Sequence, residues 1–332
     1  MSSVLPFELR NPEIIVKKKS KTDAKFGHAP EKRPVKDLLS YGIINLNKPA
    51  GPSSHQVSSF VQRILNLDKA GHSGTLDPGV TGVLPTALGR ATRIVQALLT
   101  AGKEYVALMH LHADVPQGKV YSVIKEFTGK IKQLPPVRSA VKRQLREREV
   151  YYIDVLEVEG RDILFRMGCQ AGTYVRKWCH DVGEKLGVGA HMAELVRTKA
   201  GPFKYETTVT LQDVEDALWY YEKEKNETFI RHCIQPVENG VGHLPKIWVT
   251  DSAVESLCHG ALLHVPGIVK LEADLETDDL AALLTLKGEL IALGKARMSA
   301  EQLKEKEKGV AARVIAVFMQ PGTYPRMQKQ DA

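Results

Sequence analysis

One carboxylate stands alone in the most unusual stretch of this sequence. Gly71–Pro85 reads GHSGTLDPGVTGVLP, in which four glycines surround Asp77 and Pro78 follows it directly. Proline disfavours helical angles in the residue before it, so Asp77 is expected to lie extended in a loop. The glycines let the backbone approach another group closely. A carboxylate fixed in this way can serve as a nucleophile or a base; the commoner use of such a residue is a local Asx-type hydrogen bond. Neither the phosphate-loop spacing G-x-x-x-x-G-K-S/T nor the dinucleotide spacing G-x-G-x-x-G fits here, so no nucleotide cofactor is expected.

A second candidate is Ala171–Asp181, AGTYVRKWCHD. Tyr174 and Arg176 open a predicted helix, and their i, i+2 spacing turns them to different faces. Arginine at a helix start opposes the macrodipole. A carboxylate such as Asp77 would compensate and favour its own charged form; a plain surface arginine is the more ordinary alternative. Tyr105 could stack on a ring, although a half-buried strand tyrosine is the usual case. His72, near Asp77, reads as polar loop surface unless the loop is a site. His110 and His112 share a strand face that a metal could use, but no third ligand is in view and no metal is expected. Pro135–Arg148 (PPVRSAVKRQLRER) is basic with few aromatics, as for phosphate contact or, equally, a solvated helix face.

These residues need elements to hold them. Order is expected to begin at Tyr41–Asn47 (YGIINLN), which reads as a buried strand. Ser53-Ser54 cap an amphipathic helix with Val57, Phe60, Val61, Ile64 and Leu65 on one face. A second helix is expected over Thr86–Leu99, a strand over Lys103–Ala113, and a hairpin from Val150–Glu159 and Asp162–Gln170 around Gly160. Helices follow over Thr173–Leu186 and Leu211–Glu224. Beyond Leu244 the texture becomes β-rich: a short helix at Asp251–His259, then strands at Leu280–Leu286, Glu289–Met298 and Val310–Phe318. The fold class expected is mixed α+β, with several strand pairs joined by short turns. The organisation expected is a basic N-terminal arm over residues 1–40, a large unit over 41–240 and a small terminal unit over 244–325.

With 332 residues and 43% hydrophobic content, the chain can bury such cores. Lys and Arg number 46 against 39 Asp and Glu, a net charge of +7. The charge is patchy. Residues 10–36 hold nine basic and three acidic side chains, and residues 130–149 hold seven and two, which favours a polyanionic partner. No apolar run is long enough to span a bilayer and no signal-peptide layout is present, so no membrane association is expected. The four cysteines, Cys169, Cys179, Cys233 and Cys258, lack metal or disulfide spacing and read as reduced thiols of a cytoplasmic protein.

Taken in order, NLNKPAGPSSH (Asn45–His55), Gly71–Pro85, KEYVA (Lys103–Ala107), GTYVRKWCHDVG (Gly172–Gly183) and GAHMAELVRT (Gly189–Thr198) resemble the TruB-type pseudouridine synthases. The basic arm and DSAVESLCHGALLHVPGI (Asp251–Ile268) are similar to the archaeal and eukaryotic branch, the dyskerin family. The resemblance covers residues ~40–325, and five ordered motifs are far more specific than one. It implies a largely antiparallel pseudouridine-synthase sheet with flanking helices over 41–240 as the catalytic domain and a C-terminal PUA-like β-barrel, beside which the basic arm, Arg10–Lys36, is expected to pack or which it extends. It also implies that Asp77 is the catalytic aspartate, that Tyr105 stacks on the target base and that Arg176 pairs with Asp77. Tyr174 and Leu195 would line the pocket, His72 would assist base extrusion, and Lys48-Pro49 would brace the loop. The implied partners are an H/ACA guide RNA, rRNA and tRNA substrates, two small accessory proteins and a kink-turn-binding ribosomal-type protein. No cofactor is implied. A free-standing tRNA modifier and a non-catalytic RNA scaffold are the alternatives, with a glycoside hydrolase a distant third, since that chemistry usually wants two carboxylates.

Overall fold

Strand-forming runs dominate the chain and assemble into two sheets in the computed structural model, which describes residues 3–135 and 144–325. The strands of the first two hundred residues are β1 (Ile14–Val16), β2 (Gly42–Lys48), β3 (Ala70–His72), β4 (Thr81–Leu88), β5 (Lys103–Leu111), β6 (Gly129–Gln133), β7 (Arg146–Glu159), β8 (Asp162–Cys169) and β9 (Ala190–Ala200). Between them lie helices α1 (Val35–Tyr41), α2 (Ser54–Ile64), α3 (Val95–Thr100), α4 (Gln117–Glu126) and α5 (Val175–Leu186). The main path of a ten-stranded sheet runs from Gln235–Pro236 through β2, β4, β9, β5, β8, β7 and β6, with β3 beside β4 and Phe203–Lys204 beside β9. Among the described strands of this sheet, only β4 and β9 pair in parallel. The outcome is the mixed, mostly antiparallel α+β fold that the sequence implied.

The central strands are apolar on both faces. Ile44, Leu46, Leu84 and Leu88 meet Val57 and Val61 of α2 and Val214 of the helix Leu211–Glu224. The alternate residues Ile43, Val83 and Ala87 face the second sheet and pack with Leu284, Leu290 and Phe318. A third core lies under α4 and α5, where Phe165 stacks obliquely on Trp178 with ring centroids 4.9 Å apart. The second sheet has seven strands, β1 among them, and curls around Val254 and Leu257 of the helix Asp251–Cys258 as a half-barrel.

Two expectations need correction. The stretch expected as a helix over Thr86–Leu99 begins as strand: β4 runs to Leu88, and only Val95–Thr100 is α-helical, after a 3₁₀ segment over Gly89–Ile94. A strand buried on both faces shows no alternation, so its pattern does not separate it from a helix. Gly89 makes the break, with φ +50° and a Cα so close to the Ser40 carbonyl that no side chain would fit.

Order also begins well before Tyr41. Leu5 is fully buried, α1 buries Val35, Leu38 and Tyr41, and β1 pairs antiparallel with Ile268–Glu272 of the second sheet. Arg10 binds Glu272 (2.9 Å) and Asp274 (2.7 Å) across that edge. Arg33 meets Glu238 in a bidentate pair (2.8 and 3.0 Å) where arm and both sheets converge. No helix among the described residues is long and apolar enough to cross a membrane.

Candidate active site

The Asp77 loop is built from the residues around it. Ser53 caps α2, its Oγ accepting the Gln56 amide at 3.2 Å while Gln56 Oε1 accepts the Ser53 amide at 2.8 Å. That reciprocal cap fixes where α2 starts, and so fixes Ser54, whose hydroxyl takes the Leu76 amide (2.8 Å) and donates to the Leu76 carbonyl (3.0 Å). Beyond Asp77 the chain turns at once, with the Val80 amide on the Asp77 carbonyl at 3.0 Å. Lys48, at the end of β2, is fully buried and gives its three ammonium protons to the carbonyls of Pro49, Pro78 and Val80 at 2.8–2.9 Å. Burial pulls its pKa below the usual lysine value. Both sides of Asp77 are thus pinned through backbone, without use of its carboxylate.

That carboxylate forms an ion pair with Arg176, in the first turn of α5. Both side chains are 56% exposed, so the pair faces solvent. Exposed pairs contribute only about 0–1 kcal/mol to stability, and a cation in a first helical turn opposes the dipole. Fold stability therefore gives little reason for Arg176 to stand there. Tyr174 is the N-cap of the same helix; its amide and carbonyl are both held by the side chain of Gln133 on β6, at 3.0 and 3.1 Å. Gln133 is 3% exposed and was not singled out from sequence, where a glutamine at a strand end carries no signal.

Tyr105 lies on β5, half-buried, opposite Arg197 of β9, and Leu195 lies opposite Ala107 in the same ladder. Tyr105 and Leu195 both pack on the core under α5. Burial raises the Tyr105 phenol above its ordinary pKa, and the Arg197 charge works against that rise. His72 is turned toward α2, with Nδ1 2.9 Å from Ser58 Oγ, which also donates to the Ser54 carbonyl at 3.1 Å. With its one proton used there, Ser58 accepts from Nδ1–H, which leaves Nε2 as a lone-pair site. Burial lowers the His72 pKa, with smaller contributions from His55 and Arg197.

The other candidates fall elsewhere. His110 Nδ1 meets Asp162 at 2.7 Å and His112 Nε2 meets His191 Nδ1 at 3.0 Å, at the far end of β5. Among the described residues, no three His, Cys, Asp or Glu side chains are arranged to hold a metal ion. All four cysteines are buried free thiols. Most of the basic Pro135–Arg148 segment lies outside the described residues. Arg197, fully buried behind the loop, is the largest omission from the sequence reading.

Comparison with known proteins spans the chain. Family models match the TruB family pseudouridylate synthase N-terminal domain over residues 62–175 and the tRNA pseudouridylate synthase B C-terminal domain over 176–242. Two more match, the PUA domain over 245–318 and the DKCLD domain over 2–58. A probable tRNA pseudouridine synthase B of Pyrococcus abyssi is 57% identical over 325 residues, covering 98% of this chain and 97% of that protein. A chain in a crystal structure of a Cbf5–Nop10–Gar1 complex superposes with a TM-score of 0.94 at 55% identity, over 98% of this chain and 99% of its own. Another, in an H/ACA ribonucleoprotein bound to a substrate RNA containing 2′-deoxyuridine, gives 0.92 at 53% identity over 97% and 99%.

Proposed function

The chain belongs to the TruB family of pseudouridylate synthases and is a pseudouridine synthase, and from that premise we propose that Asp77 carries the isomerisation of a uridine flipped out of its RNA. The observation that supports this most is the exposed Asp77–Arg176 pair on a loop pinned by Lys48 and Ser54, since the pair adds little to the fold. The target base is unreachable while stacked, so it is extruded and laid against Tyr105. Asp77 then attacks C1′ or removes the C2′ proton. The C1′–N1 bond breaks, the uracil turns and C5 bonds to C1′. C5 gives up its proton and N1 takes one, so the atoms balance without an external electron source. Arg176 orients Asp77, Tyr174 and Leu195 line the pocket, and His72 assists extrusion. Because the pair is exposed, bound RNA supplies the wall that excludes water.

The complexes in which its relatives were solved support a reading of the partners. The chain acts as the catalytic subunit of an H/ACA guide-RNA particle in the cytoplasm, with two small accessory proteins and a kink-turn-binding ribosomal-type protein, on uridines of rRNA and tRNA. A basic groove formed by Lys18, Lys19, Lys21 and Lys270 with Val16 and Val269 suits the guide's single-stranded end, through phosphate contacts. The naming of its relatives as tRNA pseudouridine synthase B favours a second reading, action on a tRNA T-arm without guide.

The test incubates the purified chain with an unmodified tRNA transcript, alone and with guide RNA plus accessory proteins, and reads pseudouridine by carbodiimide labelling and primer-extension stops. A stop with protein alone that vanishes in Asp77→Asn gives an enzyme complete in itself. A stop only in the full mixture gives an obligate particle subunit. No stop in either, with RNA binding intact, overturns the catalytic reading and leaves a scaffold.

A further inference from the structure

Arg197 is 1% exposed at the centre of the ten-stranded sheet, and among the described residues no carboxylate pairs with it. A guanidinium stripped of water and left without a counter-charge is costly, and an apolar side chain of similar volume would spare the core that cost. Its hydrogen bonds are specific instead. Nε donates to the Val83 carbonyl at 2.7 Å and Nη2 to the Gly74 carbonyl at 3.0 Å. Gly74 stands just before Asp77 and Val83 just after the loop re-enters β4, so one side chain clasps the loop at both ends. The approach depends on Gly82, paired with Arg197 in the parallel β4–β9 contact at φ +105°, where any side chain would strike the Arg197 backbone. The third neighbour is Tyr105, directly across the β5–β9 ladder, whose phenol lies within electrostatic reach of the same guanidinium.

We propose that Arg197 is a positioning residue for pseudouridine formation, setting the Asp77 loop and the Tyr105 ring at a fixed separation from one buried charge. The inference rests on the reading of Asp77 and Tyr105 given above. Arg176 touches the carboxylate from the solvent side and Arg197 does not touch it at all; its action passes through the Gly74 and Val83 carbonyls and the Tyr105 hydroxyl.

Isomerisation releases the hydrogen on C5, so RNA carrying 5-tritiated uridine reports it directly. The full chain, with whichever partners give wild-type turnover, is assayed under single-turnover conditions as wild type, Arg197→Lys, Tyr105→Phe, their double variant and Asp77→Asn. Arg197→Lys keeps the charge but loses the fork, and the expected result is a rate constant about 10²-fold lower with RNA affinity and reaction amplitude unchanged. The double variant should lose less than the product of the two single losses. A wild-type rate constant in Arg197→Lys, or a lower amplitude at an unchanged rate constant, overturns the proposal in favour of a purely structural residue. Full activity in Asp77→Asn would instead overturn the catalytic reading and this inference with it. If Arg197→Lys does not fold, hydrogen exchange on Tyr105→Phe, which removes one hydroxyl, tests the same contact. Faster exchange confined to residues 74–83 supports the clasp, and an unchanged pattern overturns it.

Discussion

The two halves of this molecule bury charge in opposite ways. Around the Asp77 loop the buried groups are cations, and they end on backbone carbonyls: Lys48 on Pro49, Pro78 and Val80, Arg197 on Gly74 and Val83, and Lys103 on Leu98, Leu99 and Ala101. Around the second sheet the buried groups are carboxylates, and they receive chain segments that come from far away. Glu289 accepts the His28 amide at 2.9 Å and the Tyr324 hydroxyl at 2.6 Å, Glu272 accepts Arg10, and Glu255 accepts the Gly322 amide at 2.8 Å. Glu104, on the first sheet, belongs with the second group, since its partner Lys199 also holds Glu8 of the arm. A lysine or arginine offers several donors and can gather the free carbonyls of an irregular loop; a carboxylate offers only acceptors and suits an incoming amide, hydroxyl or guanidinium. Buried cations here shape the Asp77 loop, and buried carboxylates fasten the termini.

That contrast is open to attack, beginning with the change expected to do most harm. Lys48→Met leaves three carbonyls around the loop without a donor. It should lower pseudouridine formation about 10²-fold and cost about 3 kcal/mol of stability, measured by tritium release and urea unfolding. Arg33→Leu strands the Glu238 carboxylate, whose side chain is only 10% exposed, and should cost about 3 kcal/mol with the rate per active site unchanged. Adding Glu238→Gln should restore much of that loss. Glu289→Gln keeps an acceptor but loses the charge under His28 and Tyr324. A loss of about 1 kcal/mol without any change in rate is expected, and a slower enzyme would break the comparison.

A pH dependence tests the buried cations directly. Burial, followed by the charge of Arg197, brings Lys103 down to about 7 from an ordinary 10.5. Between those values the unfolded chain holds a proton that the folded chain lacks, so stability should rise as pH climbs through that window. Burial, likewise, brings His243 down to about 4 from 6.5, so stability should fall as pH drops through that range. Urea midpoints across pH 5–9.5, with Lys103→Met flattening the alkaline limb, would check both signs.

The family and the enzyme class were legible because five motifs stand in one order, and the α+β class because hairpin signals such as Gly160 recur between alternating runs. The pairing of Arg176 with a carboxylate was arguable from the dipole of its own helix. Other features were hidden for physical reasons. β4 is apolar on both faces, which erased the period that would have marked it as a strand. Arg197 looks from sequence like any charged residue on an alternating strand; only the parallel contact with Gly82 shows that it points inward. Gln133 and Ser54 act through backbone atoms of residues far along the chain, which no local pattern encodes. The contacts of the arm were not legible because its apolar residues are few and lack a period, yet Leu5 and Ile15 find partners supplied by other parts of the chain.

The pairing of β1 with Ile268–Glu272 also sets a timetable. A ribosome makes Ile14–Val16 first, but the strand beside which it lies is roughly 250 residues further on, which at about 5–20 residues per second is a wait of some 10–50 s. Until then Arg10 and the arm lysines have no carboxylates or carbonyls of the second sheet to meet. The arm can therefore take its place only after that partner strand has been made, and there it covers the edge of the second sheet.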